Sequence, residues 1–523
     1  MRDTTHSIAH SAGRFFSGTM LSRLTGFLRD IIMAFAFGTQ EAAAAFLVAF
    51  RLAHLLRRLL GEGALQTAFI PHFEKLRRED PVRSGAFFCD LAAGISGLLI
   101  VIAAIVMALL GGIVLWGDLA PGNREIVILT LIMMPSLVFI CLYGLNASLL
   151  QCEKNFFLSS VAPCAFNAIW IVGLFCLWKW EASQAMPWLS LFIIVACAAQ
   201  WAVTLPKTLA ILRGLGVRSL YNVKWLSQDL RLLAKPLFLG MIGISAAQIN
   251  NALDSLFARY AEPEGPAYLW YAIRIQQLPL ALFGIAISGA LLPPLARAIK
   301  NNDAANYTRF LDFALRRSLA IMLPITVGIF LLGELSIQLI YGRGLFSADS
   351  VQGTTGCLWA YGFGLIPMTF VLILGPAFYA QDDYRTPSQG AVLAMGLNVI
   401  LNTLMISGLG LGAASVAWAT SISAWFNFFY LAHFLRKRMA IISSAFWPSM
   451  AKISLATAAG SAGLLSINYW LAFGTPWMNL LVQLGAFLAP FLVVAKLCKV
   501  DDILGWMPNA FLDAKTQRRK EEG

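Results

Sequence analysis

Five arginines fall where a chain this apolar can least accommodate charge. Between Ser22 and Glu62, two stretches apolar enough to cross a bilayer carry Arg23, Arg29, Arg51, Arg57 and Arg58. An arginine at the centre of a membrane helix costs roughly 2.5 to 3.5 kcal/mol on insertion scales, so five facing lipid would cost on the order of 12 to 18 kcal/mol. Helical spacing offers another place for them. Arg51 and Arg58 are seven residues apart and share a face, with Arg57 beside it. The acids nearby are Asp30, Glu41 and Glu62, too few to neutralise the group. Guanidinium charge in this pattern predicts the lining of a water-filled cavity that receives an anion, with Asp30, Arg58 and Glu62 as secondary cavity or gate residues. The competing reading is that side chains near helix ends snorkel to the membrane surface. It applies more readily to Arg29, Arg57 and Arg58 than to Arg23 and Arg51, which have apolar sequence on both sides.

The elements that must position these groups are membrane helices. Of 523 residues, 59% are hydrophobic and 13% charged, about half the charged share of a soluble domain, and the mean hydropathy is +0.71. Apolar stretches of bilayer-spanning length recur at about 14–37, 43–70, 86–115, 125–150, 157–178, 187–212, 230–258, 267–296, 311–333, 351–380, 388–407, 411–434, 447–471 and 476–498. The expected fold is an all-α polytopic membrane protein of fourteen transmembrane helices. The first stretch is too long and too arginine-rich for a cleaved signal peptide and is expected to be an internal anchor.

The net charge of +12 is not spread as a nucleic-acid surface would be. Basic residues crowd alternate connections: Lys75 to Arg83, Lys207 to Lys235, Arg297 to Arg309, Arg436 to Arg438 and Lys515 to Lys520. The intervening connections, around Glu41, Asp118, Glu181, Glu262 and Glu264, carry few. Positive-inside asymmetry then predicts that both termini are cytoplasmic, and an even number of spans agrees with their lying on one side. No aromatic residues interleave with the basic ones, so nucleic acid is excluded as a partner. The eight cysteines contain no C-x-x-C pair and read as small core residues. His54, alone within a span, reads as a packing or hydrogen-bonding residue.

An internal repeat divides the chain. Residues 45–71 overlay residues 268–294 at a constant offset, matching Arg51 to Arg274, Gly61 to Gly284 and Pro71 to Pro294, and Gln151 with Asn167 echoes Gln381 with Asn398. Two pseudo-symmetric six-helix lobes, 1–225 and 226–438, are expected around a central cavity in the parallel type of repeat. Residues 439–523 add two helices and a basic tail. The anion site belongs mainly to the first lobe, with Arg274 reaching it from the second.

The run TMLSRLTGFLRDIIMAFAFG at 19–38, the 45–71 segment, the sequence around Arg274 and PAFYAQDDYRTP at 376–387 together resemble the MurJ/MviN family. The resemblance covers about residues 10–440 in order. It implies a flippase that carries lipid II, the undecaprenyl-diphosphate disaccharide-pentapeptide, across the bacterial cytoplasmic (inner) membrane by alternating access, acting as a monomer among membrane lipids. It also implies that Arg23, Arg29, Arg51, Arg57 and Arg274 grip the diphosphate, for which a planar guanidinium fork is well suited. No enzymatic role or organic cofactor is expected. The chain departs from the family at Ala44 and Ile273, where aspartates are usual, and at Leu372, where a lysine is.

Asp254, Asn398, Asn402, Thr420 and the Val416 carbonyl supply hard oxygen ligands, and the resemblance makes them a candidate sodium site. Interhelical hydrogen bonding is the alternative, and membrane potential is an alternative driving force. A flippase for another polyprenyl-diphosphate oligosaccharide would use the same arginines. A cation-coupled multidrug exporter of the same superfamily would be expected to have an apolar or acidic cavity instead. A membrane enzyme would need an acidic metal cluster or an activated nucleophile, and Asp382 and Asp383 look instead like turn and helix-start residues.

Overall fold

The computed structural model describes residues 5–55, 57, 64–217, 228–470 and 475–504. Those residues are helical throughout, with short connections. In order the helices are α1 Thr5–Phe37, α2 Glu41–Ala53, α3 Ala64–Glu79, α4 Pro81–Trp116, α5 Pro121–Met133, α6 Ser136–Cys152, α7 Phe156–Val161, α8 Pro163–Leu177, α9 Ala182–Gly214 and α10 Gln228–Ala261. They continue as α11 Gly265–Pro279, a π-helical turn Leu280–Gly284, α12 Ile285–Lys300, α13 Ala304–Ile340, α14 Ala348–Tyr379 and α15 Arg385–Thr403. A second π turn, Leu404–Gly408, precedes α16 Ala414–Arg436, α17 Phe446–Trp470, α18 Pro476–Leu497 and α19 Asp501–Leu504.

Helix starts follow local chemistry. The Asp80 carboxylate accepts from the amides of Val82 and Arg83 with Pro81 at the first helical position, and Asp303 accepts from the Asn306 amide. Both satisfy donors that a helix leaves unpaired. Asp383 does the same for α15, accepting from the Thr386 amide at 2.9 Å and hydroxyl at 2.7 Å, and pairs with Arg438 at 2.8 Å. Against the desolvation that pushes its pKa up, these bonds and the neighbouring guanidinium hold the Asp383 carboxyl below the ordinary carboxylate value. A folded pKa below the unfolded one contributes stability that is present above the unfolded value and lost as pH falls through the folded one. Asp383→Asn is therefore expected to lower stability by under about 1 kcal/mol at neutral pH, with the difference from the parent shrinking on acidification. Thermal unfolding at a series of pH values measures it.

Among the described residues, nine helices are long and apolar enough to cross a membrane, or ten if α5 and α6, bent by 49°, form one span. Helical segments occupy all fourteen apolar stretches in order, but the second stretch is not one helix. α2 ends at Ala53, capped by His54, and α3 begins at Ala64. α4 shows what such helices face: Leu98, Val101, Ile105, Leu109 and Ile113 are all exposed. An apolar surface of this extent is stable only against lipid. The chain is a multi-pass membrane protein.

Two compact units emerge from the packing. The first comprises residues 1–267 with 343–347, the second 268–342 with 348–523. In the first, α1 packs on α7 and α8, α2 on α5, α6 and α8 on α9, and α3 on α4 and α10. In the second, α14 packs on α13 and α16, α12 on α13, and the α17–α18 pair on α13. α10 distinguishes this partition from the repeat-based lobes: by sequence it opens the second repeat, and by packing it joins the first unit.

Within the first unit, residues 343–347 close over the end of α1. The Leu345 amide donates to the Phe35 carbonyl at 3.0 Å, and Gly38 turns the chain at φ +56° with its α-carbon against the Leu345 carbonyl. Gly38→Ala is expected to cost at least about 1 kcal/mol from the left-handed backbone alone, and more because the neighbouring backbone must move. A lowered unfolding midpoint measures it.

In the second unit a polar network fastens the C-terminal helices to α13. Asp312 accepts from the Arg316 guanidinium, the Ser443 amide and the Ser443 hydroxyl, and Arg316 also reaches Asp502. Apolar side chains of α13, α17 and α18, among them Ile453, Ala456, Phe487 and Phe491, fill the remaining contact.

Candidate functional site

α1 presents three faces. At about 100° per residue, Leu21, Leu24, Leu28 and Phe35 fall together, and all are exposed. Roughly 120° round lie Ser22, Thr25, Gly26 and Arg29, which meet Asn167 of α8: the Asn167 amide donates to the Ser22 carbonyl at 3.2 Å and the Thr25 hydroxyl at 3.0 Å, and Gly26 leaves room for it. Arg23 points to the third face, with Phe27 and Asp30. It is exposed, has no ion-pair partner among the described residues, and lies well away from the apolar stripe.

Arg29 is held differently. It is buried, donates to Asp30 Oδ1 through Nε at 3.0 Å and NH2 at 2.7 Å, and donates through NH1 to Asn167 Oδ1 at 3.0 Å. Its guanidinium carbon sits 4.3 Å from the Trp170 ring centroid, and Phe46, Phe50 and Phe166 surround that indole. A charge in so apolar a place needs both the carboxylate and the ring face. The expectation of a net-positive cluster therefore changes at one member: Asp30 neutralises Arg29 in this conformation.

Arg51 ends α2 and donates to the Ser255 hydroxyl at 2.6 Å and the Asn251 carbonyl at 3.4 Å, both neutral oxygens on α10. One turn on, His54 forms the turn that closes α2. Its Nδ1 lies 2.9 Å from the Phe50 carbonyl, and Nε2 approaches Ser136 Oγ and Cys197 Sγ. This is the hydrogen-bonding role read from sequence. Arg57 follows half-buried, its amide bonded to the His54 carbonyl. Arg58 and Glu62 lie outside the described residues.

In the second unit Arg274 is half-buried on α11, its guanidinium 4.4 Å from the Trp270 ring centroid. Nearby, Gln276 donates to the Met368 sulfur. Asn402, Asn398, Thr420 and Val416 form one hydrogen-bond chain linking α15 and α16: Asn402 Nδ2 to Asn398 Oδ1 at 2.9 Å, Asn398 Nδ2 to Thr420 Oγ1 at 3.2 Å, Thr420 Oγ1 to the Val416 carbonyl at 3.0 Å. Asp254, in the first unit, is buried and accepts from Asn250 at 3.2 Å.

Sequence reading missed Trp170, Trp270, Ser255 and the role of Asn167. Trp270 stands four residues before Arg274, the spacing at which helical side chains touch, and was findable. Trp170 and Ser255 come from distant helices and carried no local signal.

A family model described as lipid II flippase MurJ matches residues 33–482. The chain belongs to the MurJ family. A probable lipid II flippase MurJ of Chlamydia muridarum is 34% identical over 448 residues, covering 85% of this chain and 82% of that one. The Chlamydia trachomatis protein of the same description is 30% identical over 526 residues, covering 96% of each. A solved structure of a lipid II flippase MurJ in an inward closed conformation superposes with a TM-score of 0.76 at 23% identity, covering 92% of this chain and 98% of that one. An inward-facing multidrug resistance transporter of the MATE family in the MOP superfamily reaches 0.60 at 16%, covering 82% and 98%.

This MurJ-family chain packs apolar residues where the resemblance implies charge. Ala44 is fully buried on α2. Ile273 is half-buried beside Arg274, and Leu372 is half-buried and lies against Gly284 of the first π turn. None of the three positions can form an ion pair.

Proposed function

We propose that this chain carries lipid II from the cytoplasmic to the outer leaflet of the inner membrane, as its MurJ relatives are named for doing. The observation that carries this reading is the exposed Arg23 on a face of α1 set apart from the exposed leucine stripe and from the α8 contact. Arg23, Arg51, Arg57 and Arg274 would hold the diphosphate through paired N–H bonds, while the sugar and peptide occupy water and the polyprenyl chain stays in lipid. Arg29 would join them when Asp30 releases it. No covalent bond changes; the protein supplies binding and a change of access by rocking of its two halves. Fourteen spans arranged as two six-helix lobes and a C-terminal pair, termini on the cytoplasmic side and a monomeric state complete the proposal. A flippase for a different polyprenyl-diphosphate oligosaccharide would share these arginines. A leaflet-accessibility assay of lipid II in cells carrying this chain as their sole flippase tests the reading: lipid II confined to the inner leaflet would overturn it.

Three of the oxygens expected to bind sodium take part in one hydrogen-bond chain. Asn398 Oδ1 and the Val416 carbonyl accept bonds within their own helices, and the Asn398–Thr420 bond joins α15 to α16, as interhelical bonding would have it. Sodium coupling predicts that sodium raises the unfolding temperature of the parent but not of Asp254→Ala or Asn398→Ala. Equal responses in all three would remove the ion from the mechanism.

A further inference from the structure

The second unit holds a groove on its outer surface between α15 and α16. Its volume is about 430 Å³, and its lining is Ser388, Gln389, Val392, Leu393 and Tyr430. The groove is built rather than incidental. Gly390 allows α16 to approach α15 so closely that a Cβ there would meet Asn427 Oδ1 at 2.7 Å and the Tyr430 ring at 3.0 Å.

Its chemistry is graded along the helix axes. Val392 and Leu393 are exposed and apolar at the deep end, where a membrane helix faces acyl chains. One turn toward the start of α15, Ser388, Gln389 and Tyr430 supply hydroxyl and amide groups. A turn further, helical spacing brings Arg385 (three before Ser388) and His433 and Lys437 (three and seven after Tyr430) to the same end. All three are exposed. Lys437 is held there by its neighbours: its ammonium sits 5.5 Å from the Phe434 ring centroid, and that ring lies 4.7 Å from Tyr430. The acids of this connection do not cancel the rim. Asp383 is taken by Thr386 and Arg438, leaving Asp382 against Arg385, Arg436 and Lys437.

We propose that this groove binds one anionic phospholipid. An acyl chain lies on Val392 and Leu393, the ester and glycerol oxygens meet Ser388, Gln389 and Tyr430, and the phosphate sits at the Arg385–Lys437 rim. The order apolar, neutral polar, cationic matches the order of groups in a glycerophospholipid at a membrane surface, and basic residues at such a surface favour anionic headgroups. A free phosphate ion would use only the rim, and a zwitterionic lipid would gain little from it. The site is independent of the cargo arginines, so it stands or falls separately from the flippase reading.

Thermal unfolding of the detergent-solubilised full chain, titrated separately with phosphatidylglycerol, phosphatidylcholine and inorganic phosphate, tests it. Phosphatidylglycerol is expected to raise the unfolding temperature and the other two to leave it unchanged. In the double variant Arg385→Ala/Lys437→Ala, which touches only exposed side chains, the half-maximal phosphatidylglycerol concentration should rise on the order of twentyfold, from two lost surface cations. Val392→Trp, which fills the deep end, should abolish the response. Equal stabilisation by phosphatidylcholine, a response to inorganic phosphate alone, or a phosphatidylglycerol response unchanged in both variants would overturn the proposal. Displacement of phosphatidylglycerol by an equal concentration of undecaprenyl phosphate would also overturn it, by assigning the groove to a polyprenyl chain.

Discussion

Asp30→Asn is expected to destabilise the protein by about 3–5 kcal/mol, because it leaves the buried Arg29 charge without its carboxylate. Trp170 and Asn167 would remain as partners, but a ring face and an amide oxygen together replace only part of a carboxylate's interaction. Thermal or denaturant unfolding of the purified chain measures the loss. The double variant Arg29→Met/Asp30→Leu separates two roles for Arg29. Replacing both members of a buried pair with apolar groups of similar volume is often neutral or stabilising, so stability should recover in large part. If Arg29 serves only to join α1 to α8, complementation of a flippase-depleted strain recovers with it. If Arg29 also binds cargo, the double variant folds and growth stays lost.

Arg23→Ala should show the opposite pattern. The side chain is exposed, so unfolding should shift by no more than about 0.5 kcal/mol. Losing a charge-assisted bond to a diphosphate would weaken cargo binding by roughly tenfold to a hundredfold. The variant is expected to insert normally, fail to support growth when the native flippase is depleted, and leave lipid II on the inner leaflet. Arg23→Lys should rescue in part, since an ammonium keeps the charge and loses the planar fork. Normal growth of the alanine variant would remove Arg23 from the site. Arg274→Ala provides the matching test in the second unit.

Much of this architecture was legible because lipid imposes simple rules. Apolar stretches of spanning length become helices since the bilayer satisfies no backbone donor or acceptor, and each of the fourteen stretches is helical where described. The Asp80, Asp303 and Asp383 starts follow from side-chain oxygens next to free amides. The break in the 43–70 stretch was harder to foresee. Residues 45–53 and 64–71 are both apolar, and the turn at the end of α2 is marked by His54, which meets the Phe50 carbonyl of its own helix and Ser136 and Cys197 from other helices.

Residue type and spacing by themselves determined that the chain is a multi-pass helical membrane protein and that its motifs resemble one family. These follow from composition and period, which every helix carries locally. Only the tertiary structure decided what each arginine does: Arg23 exposed on its own face, Arg29 paired with Asp30 and stacked on Trp170, Arg51 bonded to Ser255, Arg274 laid over Trp270. The energy of a buried charge depends on the few groups within hydrogen-bond reach of it. For Arg29 the amide of Asn167 and the ring of Trp170, and for Arg51 both of its acceptors, arrive from helices more than a hundred residues away.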